Sequence, residues 1–449
     1  MTTTEAVAVA ARAAAGPQPL WASVPPEARA GLARRAAQAV LDELEPLAVL
    51  LAREARMPRT EALLAELLPS VAGLAELADD APAALADRRV GRRRPRRATL
   101  YQAPVGVAGI RGGLGSPWAE PVLEVAAALL AGNGVVLTSQ VAGLGERLVA
   151  ALGRAGLPDG LVQLLDGVTD DDLRGACDRV TGIGLTGPRG AMLVLDGAPL
   201  DAAAAAALWA AFSRAGHGPA SVGRLVAVRP VAAPLLVRLL GGARRVRTGD
   251  PLDPATEVGP LASAADVERV EALVDDAVAG GAQRLCGGPL RGDRYAPVVL
   301  RGVAPDARVL HEPVPGPVLA VLEAATEADA VALVRGTAPA VSVWTAEHDH
   351  GERVARTLGA DLAWVNEHGV AAPTARVRIA RHTVPRQLAS QPFRLRSARW
   401  LPYDPGLVRA SEAAARVLHG RDTERLARLR AGAPALARAA VRLARELRA

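Results

Sequence analysis

Side chains able to carry out covalent chemistry are few in this sequence. The only cysteines are Cys177 and Cys286, and two serines, Ser213 and Ser221, lie close in sequence to His217. A serine becomes a nucleophile when a base lies within hydrogen-bond reach and a third group orients that base. The sequence identifies no third group, so we predict that Ser221 is an ordinary loop serine and keep a serine-based activity as the alternative. Both cysteines are predicted to be small packing residues.

The same side chains bear on metal binding and on disulfide formation. Two cysteines are too few for a disulfide framework or for a cysteine-based metal cluster. His348 and His350 form an H-x-H pair, but a zinc ion needs three or four protein ligands, and no third ligand is evident. We therefore predict no metal site and no disulfide framework.

Composition indicates a soluble globular protein of two or three domains. The chain has 449 residues, half of them apolar, and this length exceeds what one core usually serves. All 53 basic residues are arginine and the net charge is +6, which gives little support to nucleic-acid binding. The N-terminus lacks the basic and apolar regions of a signal peptide, and no apolar stretch is long enough to span a membrane. The expected location is the cytoplasm.

Hydrophobic periodicity predicts N-terminal helices and then an alternation of strands and helices. Residues 27–87 carry apolar side chains at helical spacing. Short apolar runs alternate with helical segments from 104 to 382, which predicts an α/β protein with parallel sheets, and ligands usually bind beyond the carboxyl ends of such strands. No G-x-G-x-x-G follows any strand of the first sheet. The predicted strands are Val105–Ile110, Val135–Leu137, Leu161–Leu165, Ile183–Leu185, Met192–Leu195, Leu225–Val228, Val318–Leu322, Val341–Trp344 and Ala363–Val365.

Several segments together resemble the aldehyde dehydrogenase superfamily. The longest is GDPLDPATEVGPL at residues 249–261, which is similar to the family's GDPLDPxTxxGPL. AAALLAGNGVVL at 126–137 is similar to its helix-to-strand step, and GLPDG at 156–160 to its GLPPGV loop. The resemblance covers roughly residues 20–400. Shorter matches, in the family's order and spacing, are PVGVAGI at 104–110, Pro117–Trp118, LTG at 185–187, GPV at 316–318 and WVN at 364–366.

The resemblance implies an α/β, aldehyde dehydrogenase-like fold. Its parts would be a Rossmann-type nucleotide-binding domain, an α/β catalytic domain, a small β bridging element and a helical C-terminal tail. The arginine run at residues 88–97 would lie on or beside an oligomerisation strand of the bridging element. The nucleotide-binding domain would comprise residues 1–88 and 104–191, and the catalytic domain residues 192–384. The bridging element would comprise residues 89–103 and 385–403, and the tail residues 404–449.

The resemblance also implies a thiolate mechanism whose residues this chain lacks. The family's cysteine lies in a stretch like FNxGQxC; here the stretch is FSRAGHGPAS at 212–221, and Pro219 stands where the cysteine should be. Proline offers no nucleophile and no backbone N–H, which the family uses as one oxyanion donor. The second donor, an asparagine after the Pro-Trp pair, is Ala119 here. The segment that would carry the general-base glutamate, between Gly187 and Asp196, is predicted to be deleted.

Cofactor features that the resemblance implies are altered as well. The family's lysine after VVL is Thr138 here, and its ribose-binding glutamate is Pro313. The turn near the nicotinamide is reduced to GPRG, which ends at Gly190. Trp118, Gly187 and Gly190 remain as candidate pocket-lining residues. The implied cofactor is NAD or NADP, and we predict that its binding is weak or absent.

The C-terminal tail is longer than the usual family ending. We predict three short amphipathic helices, Ser411–His419, Thr423–Arg430 and Pro434–Leu447, separated at Gly420 and Gly432. Packing on the parent domain or on an identical subunit is the expected role, with docking on a different partner as the alternative. The step LPYDP at 401–405 into this tail also resembles family sixteen of the aldehyde dehydrogenases, some members of which lack the nucleophile.

These features favour a catalytically inactive aldehyde dehydrogenase-like protein that acts as a structural or regulatory subunit. It would form a homo-oligomer, or a hetero-oligomer with an active aldehyde dehydrogenase, with neither membrane nor nucleic acid as a partner. The first alternative is an active NAD(P)-dependent aldehyde oxidoreductase, or an acyl-transfer enzyme, with relocated catalytic residues. The second is a basic scaffold that binds nucleic acid through Arg88–Arg97, with an affinity that falls steeply as salt rises. No aromatic residue lies within that run to stack on bases.

Overall fold

The computed structural model describes residues 2–90, 97–182, 189–218, 220–369, 374–390, 401–419 and 425–446. Pro219, Gly187, the predicted strand Ile183–Leu185 and most of the arginine run lie outside these ranges. Among the helices that these ranges contain, none combines the length and the hydrophobicity that a membrane span requires. The chain divides into two compact units: unit 1 comprises Met1–Leu85 and Ala103–Val384, and unit 2 comprises Ala86–Gln102 and Pro385–Ala449.

Helices and strands are numbered in chain order. The helices are α1 Thr3–Ala15, α2 Gln18–Ser23, α3 Pro26–Leu41, α4 Leu44–Glu54, α5 Arg59–Glu61, α6 Leu68–Leu85, α7 Ala119–Leu130, α8 Leu144–Arg154, α9 Asp170–Ala176, α10 Leu200–Phe212, α11 Arg229–Ala243, α12 Ala264–Ala279, α13 Arg308–His311, α14 Glu327–Val334, α15 His348–Thr357, α16 Ala375–Arg381, α17 Pro405–His419 and α18 Arg425–Glu446. The strands are β1 Arg88–Val90, β2 Arg97–Pro104, β3 Val107–Gly112, β4 Gly134–Ser139, β5 Val162–Leu164, β6 Arg179–Gly182, β7 Gly190–Val194, β8 Val222–Val228, β9 Gln283–Pro289, β10 Tyr295–Arg301, β11 Val318–Ala324, β12 Ala340–Trp344, β13 Leu362–Val365 and β14 Thr383–Ser390.

The smaller sheet of unit 1 has the strand order β5-β4-β3-β6, and all of its pairings are parallel. Its central strands are buried, because helices α7, α8, α1 and α9 pack against them. Helices α3 and α6 pack in turn on α7, and α3 also packs on α8. This burial explains why β3 and β4 appear in the sequence as continuous apolar runs. The alternation of strand and helix predicted for this part of the chain is therefore confirmed, together with its Rossmann-like parallel sheet.

The larger sheet of unit 1 has the order β13-β12-β7-β8-β11-β10-β9. Its pairings are parallel except at the edge, where β9 runs antiparallel to β10. The β9–β10 hairpin was not expected from the sequence, since β9 is half-exposed and contains Gly287 and Gly288 at a register irregularity. Every residue of β7, β8 and β12 is buried. This burial explains why hydrophobicity predicts these three central strands.

The two sheets of unit 1 follow one another closely along the chain. Strand β6 ends at Gly182 and β7 begins at Gly190, so only residues 183–189 connect them. The connection has seven residues, and the deletion expected before Asp196 stays a prediction. Because β7 begins at Gly190, the predicted domain boundary at residue 191 falls inside a strand of the larger sheet. The division into nucleotide-binding-like and catalytic-like domains otherwise stays a prediction.

A long helix near the N-terminus changes its winding along its length. Helix α5 continues without a break into a π-helical segment at Ala62–Leu67 and then into α6. A π-helix places residues five apart in sequence on one side, whereas an α-helix does so for residues three or four apart. Glu61 and Glu66 stand five apart, and this winding brings both carboxylates to bear on one partner, Arg214.

Unit 2 contains a three-stranded sheet and a pair of helices. The sheet has the order β1-β2-β14, with β1 antiparallel to β2. Helices α17 and α18 pack together. The break predicted at Gly432 is wrong, since α18 continues through Gly432 and Pro434. Gly432 lies against Ala413 so closely that an added Cβ would come within 3.0 Å of its methyl group, and this contact with α17 stabilises the helix where its own sequence would end it.

Candidate functional site

Helix α7 begins at the residue that should carry an oxyanion donor, and its N-terminus is already occupied. Ala119 is the first residue of α7. The fully buried Glu66 accepts hydrogen bonds through Oε2 from the peptide N–H of Ala119 at 2.7 Å and of Trp118 at 3.1 Å, and from the Ser116 hydroxyl at 2.9 Å. These donors lie at the positive end of the helix dipole, which favours an anion there. In this chain the anion at that position is the carboxylate of Glu66.

The second carboxylate oxygen of Glu66 holds an arginine from the predicted nucleophile segment. Arg214 donates from Nε to Glu66 Oε1 at 2.9 Å and from Nη2 to the Ala65 carbonyl at 3.0 Å. Its own peptide N–H donates to Glu61 Oε1 at 2.6 Å. Arg214 and Ala215 both adopt left-handed backbone angles, with φ of 50° and 47°. Such angles are costly for non-glycine residues and persist when surrounding contacts fix them.

Glu61 is a half-buried residue whose carboxyl group lies beside this arginine. Its Oε2 has no hydrogen-bond partner among the described residues. Burial raises the pKa of Glu61 to about 7, against the opposing charge of Arg214 and the hydrogen bond from its peptide N–H. Near neutral pH this carboxyl group is therefore divided between its protonated and ionised forms, and only the ionised form adds a second negative charge beside Arg214.

His217 lies in the turn that follows Arg214. Its Nδ1 lies 3.1 Å from the Arg214 carbonyl oxygen, and since a carbonyl only accepts, Nδ1 carries the proton. Burial lowers the pKa of His217, so the ring is neutral at pH 7. It borders a cleft of about 230 Å³. The lining residues of this cleft are Glu54, Ala55, Arg56, Met57, Pro58, Leu114, Arg214, Ala215, His217, Gly259, Pro260 and Ala262.

The serines of this segment lack an activating base. Ser221 precedes β8, and its Oγ is buried without a hydrogen-bond partner among the described residues. His217 donates its Nδ1 proton to the Arg214 carbonyl. In His368, Nε2 contacts the Ala220 carbonyl at 2.9 Å and Nδ1 contacts the Ser342 hydroxyl at 3.2 Å. Neither histidine is hydrogen-bonded to Ser221, so the described geometry contains no serine–base pair.

Both cysteines lie away from the carboxyl ends of the parallel strands. Cys177 caps the C-terminus of α9 just before β6, at the amino ends of β3 and β6. Burial, with the charge of Asp178, raises the pKa of the Cys177 thiol to about 11, so the reactive thiolate is scarce. Cys286 lies on the edge strand β9, where burial also raises the pKa of its thiol.

Two of the residues predicted to line a cofactor pocket, Trp118 and Gly190, are tightly packed, and their role stays a prediction. Trp118 is 1% exposed and donates from Nε1 to the Ser70 hydroxyl at 3.1 Å. Gly190 is a sheet residue: its N–H donates to the Ser221 carbonyl at 2.7 Å, and an added Cβ would lie 3.0 Å from the Ala340 carbonyl oxygen. Gly187 lies outside the described residues. Thr138 is buried on β4, and Pro313 precedes β11 and is half-buried.

A small cavity lies beyond the carboxyl end of β4. Between β4 and the start of α8 the cavity measures about 10 Å³, which is enough for about one water molecule and far too small for a dinucleotide. The residues around it are mostly apolar, and none of them is a charged group that could bind a phosphate. They are Pro117, Trp118, Pro121, Leu137, Ser139, Leu144, Gly145 and Leu148. The described residues around this cavity therefore include no charged group that could pair with the phosphates of NAD or NADP.

The histidine pair of the sequence lies on α15. His348 faces Glu352 at 3.6 Å, and His350 faces Glu327 at 3.0 Å. Each ring thus has its own carboxylate partner. No group of three or more potential metal ligands occurs within the described ranges.

The sequence did not identify Glu61, Glu66 and Arg214 as site residues. One signal for them exists, because Phe212 and Gly216 stand four residues apart, whereas the family motif FNxGQxC separates its phenylalanine and glycine by three. The extra residue lies where Arg214 and Ala215 turn left-handed. No such signal marked the two glutamates, since their hydrogen bonds with Arg214 depend on the π-helical segment.

Comparison with known proteins shows which proteins resemble this chain. The model of the aldehyde dehydrogenase family matches residues 1–189 and 185–377, and its two matches meet at the short connection between the sheets. Betaine aldehyde dehydrogenase of Cereibacter sphaeroides is 31% identical over 81% of this chain and 82% of its own. NAD(+) benzaldehyde dehydrogenase of Pseudomonas putida is 30% identical over 82% and 81%.

Solved structures agree with the sequence relatives. An NAD-dependent aldehyde dehydrogenase of Sinorhizobium meliloti superposes with a TM-score of 0.80 at 26% identity, covering 89% of each chain. An NAD-dependent benzaldehyde dehydrogenase of Corynebacterium glutamicum gives 0.78 at 23% identity, over 86% of this chain and 90% of that one, and supports the fold alone. From the matched residues and the shared fold we conclude that this chain belongs to the aldehyde dehydrogenase family.

Proposed function

We propose that this chain is a non-catalytic member of its family that serves as a structural or regulatory subunit, assembling with itself or with an active relative. The observation that carries the proposal is the Glu66–Arg214 ion pair at the N-terminus of α7. Glu66 takes up the N–H groups of Trp118 and Ala119, and no oxyanion can use donors that already hold a carboxylate. In sequence, the segment that contributes Arg214 carries Pro219 in place of the thiol.

Loss of the cofactor belongs to the same proposal. The cavity of about 10 Å³ beyond β4, and the seven-residue span at 183–189 between the sheets, support weak or absent binding of NAD(P). Neither Thr138 nor Pro313 supplies the lysine or glutamate that the family resemblance leads one to expect. The free thiols of Cys177 and Cys286 suit a reducing compartment, and we keep the cytoplasm as the proposed location.

The alternative is an active NAD(P)-dependent aldehyde oxidoreductase with relocated catalytic residues. Its support is that relatives at 30–31% identity bear the names of aldehyde dehydrogenases. It would need a nucleophile from Ser221 or Cys177. The buried Ser221 hydroxyl without a base, and the raised pKa of the Cys177 thiol, speak against both.

Coenzyme titration separates the two proposals. We expect isothermal titration of the purified chain with NAD and with NADP to give no saturable heat up to about 1 mM, the upper end of ordinary enzyme affinities. The NAD-dependent benzaldehyde dehydrogenase of Corynebacterium glutamicum serves as the positive control under the same conditions. Saturable binding of either coenzyme to this chain in the micromolar range would favour the active alternative.

A further inference from the structure

Positive charge is concentrated in unit 2. This unit makes up less than a fifth of the chain, yet it contains 21 of the 53 arginines and only six of the 47 acidic residues, a net charge of +15. Unit 1 carries the rest and has a net charge of −9. The net charge of the whole chain is modest because the positive charge of unit 2 offsets the negative charge of unit 1. Unit 2 is positive because it contains both the arginine run and the C-terminal tail.

The described arginines of unit 2 are exposed and largely uncompensated. Arg88 and Arg89 on β1, Arg409 on α17, and Arg430 and Arg438 on α18 are all exposed. None of these five forms an ion pair with a described carboxylate, whereas many arginines of unit 1 do. Exposed charges of one sign raise the local potential together and attract a polyanion over a Debye length of about 8–10 Å.

The two tail helices pack together through small residues, while larger apolar side chains of both, Val408, Leu418, Leu429 and Val441, stay exposed. Ala410 of α17 is buried, and Gly432 of α18 lies against Ala413. Small residues such as Ala431 and Ala433 stand exposed close to Arg430. Small residues beside an exposed arginine let a phosphate backbone approach its charge closely, and an anionic vesicle is included in the test below as the competing surface.

We propose that unit 2 binds double-stranded nucleic acid through its backbone phosphates, without sequence preference. Guanidinium groups bind phosphate in a bidentate manner, and this contact needs no particular base. Among the described residues of unit 2, Tyr403 is the one exposed aromatic side chain. Single strands are usually held by stacking on several aromatic rings, so the duplex is the favoured form. This activity is independent of the proposed loss of catalysis.

Fluorescence anisotropy of a labelled duplex of about 30 base pairs with the full-length chain tests the proposal. We expect binding at about 50 mM salt that weakens more than tenfold at about 200 mM, with a log–log slope steeper than about −3. Changing Arg88, Arg89, Arg409, Arg430 and Arg438 together to glutamine should weaken binding at least tenfold and flatten the slope, since the slope falls by about one for each phosphate that the protein no longer binds.

A matched variant removes the same charge from unit 1. Its five changes to glutamine fall on exposed arginines without ion pairs to described carboxylates, and they should leave the affinity within about twofold because unit 1 is acidic. The proposal is overturned if this variant loses as much affinity as the first, or if vesicles rich in phosphatidylserine, polyglutamate or a single strand compete as well as unlabelled duplex. If the unit 2 variant fails to fold, the salt slope and these competitions on the unaltered chain decide. The unit 1 positions are Arg12, Arg53, Arg245, Arg291 and Arg353.

Discussion

Replacing Glu66 with alanine is expected to lower the free energy of unfolding by about 3–5 kcal/mol, the usual cost of removing one partner from a buried ion pair. The substitution leaves the peptide N–H groups of Trp118 and Ala119 without their acceptor and leaves Arg214, 12% exposed at its side chain, without its carboxylate. Urea unfolding followed by circular dichroism measures the change.

Two control variants show whether burial causes this effect. Glu66→Gln keeps an acceptor for the α7 N–H groups and should cost less than Glu66→Ala. Glu45→Ala removes a carboxylate from the exposed ion pair with Arg59 and should cost at most about 1 kcal/mol. A cost for Glu66→Ala no larger than that of Glu45→Ala would mean that the ion pair at the N-terminus of α7 has little influence on the fold.

Glu124→Ala should destabilise the protein by a similar amount, about 3–5 kcal/mol. Glu124 on α7 is 5% exposed at its side chain and accepts hydrogen bonds from Arg378 at 2.8 Å, from Arg381 at 3.1 Å and from the fully buried His382 Nε2 at 2.8 Å. Arg378 also binds Glu120 through both of its terminal nitrogens at 2.7 Å. Losing Glu124 therefore leaves the buried His382 Nε2 without its carboxylate and the buried Arg378 with Glu120 alone, whereas the exposed Arg381 can bind water. Urea unfolding at pH 7 measures the cost.

The same carboxylate predicts a pH dependence. Burial alone would raise the pKa of Glu124, but the hydrogen bond from His382 and the charges of His382, Arg378 and Arg381 hold it below the ordinary 4.5. A depressed folded pKa gives stability that is present above the unfolded pKa and is lost as pH falls through the folded one. Unfolding free energy should thus fall below about pH 4.5 more steeply in the natural chain than in Glu124→Gln. Equal slopes in the two proteins would contradict this assignment.

Most of the buried strands in the two parallel sheets could be predicted from the sequence, although the largely buried β10 was missed. Val135–Leu137 lies within β4 and Leu225–Val228 lies within β8, because every residue of these two segments is apolar and buried. Strand β9 escaped prediction, since an edge strand with Gly287 and Gly288 has neither a continuous apolar run nor clean alternation. Gly432 and Pro434 suggested a helix break that packing against α17 prevents.

From the sequence we could predict which family side chains are replaced at the candidate site, but not which ion pair the site contains. Ala119 and Pro219 can be identified by matching motifs, because a missing side chain needs no coordinates. The Glu66–Arg214 pair depends on a π-helical segment and on two left-handed residues, and both arise from tertiary contacts across about 150 positions of chain. Local sequence preference contains no information on such long-range partners.

Steady-state turnover tests the central claim most directly. The purified chain is incubated with NAD or NADP and with betaine aldehyde or benzaldehyde, and the absorbance of the reduced coenzyme is followed against buffer without protein. We predict that no reduced coenzyme forms above the buffer rate. Sustained turnover that Ser221→Ala or Cys177→Ser abolishes would contradict the account, because it would identify a working nucleophile in a chain that we propose to have none.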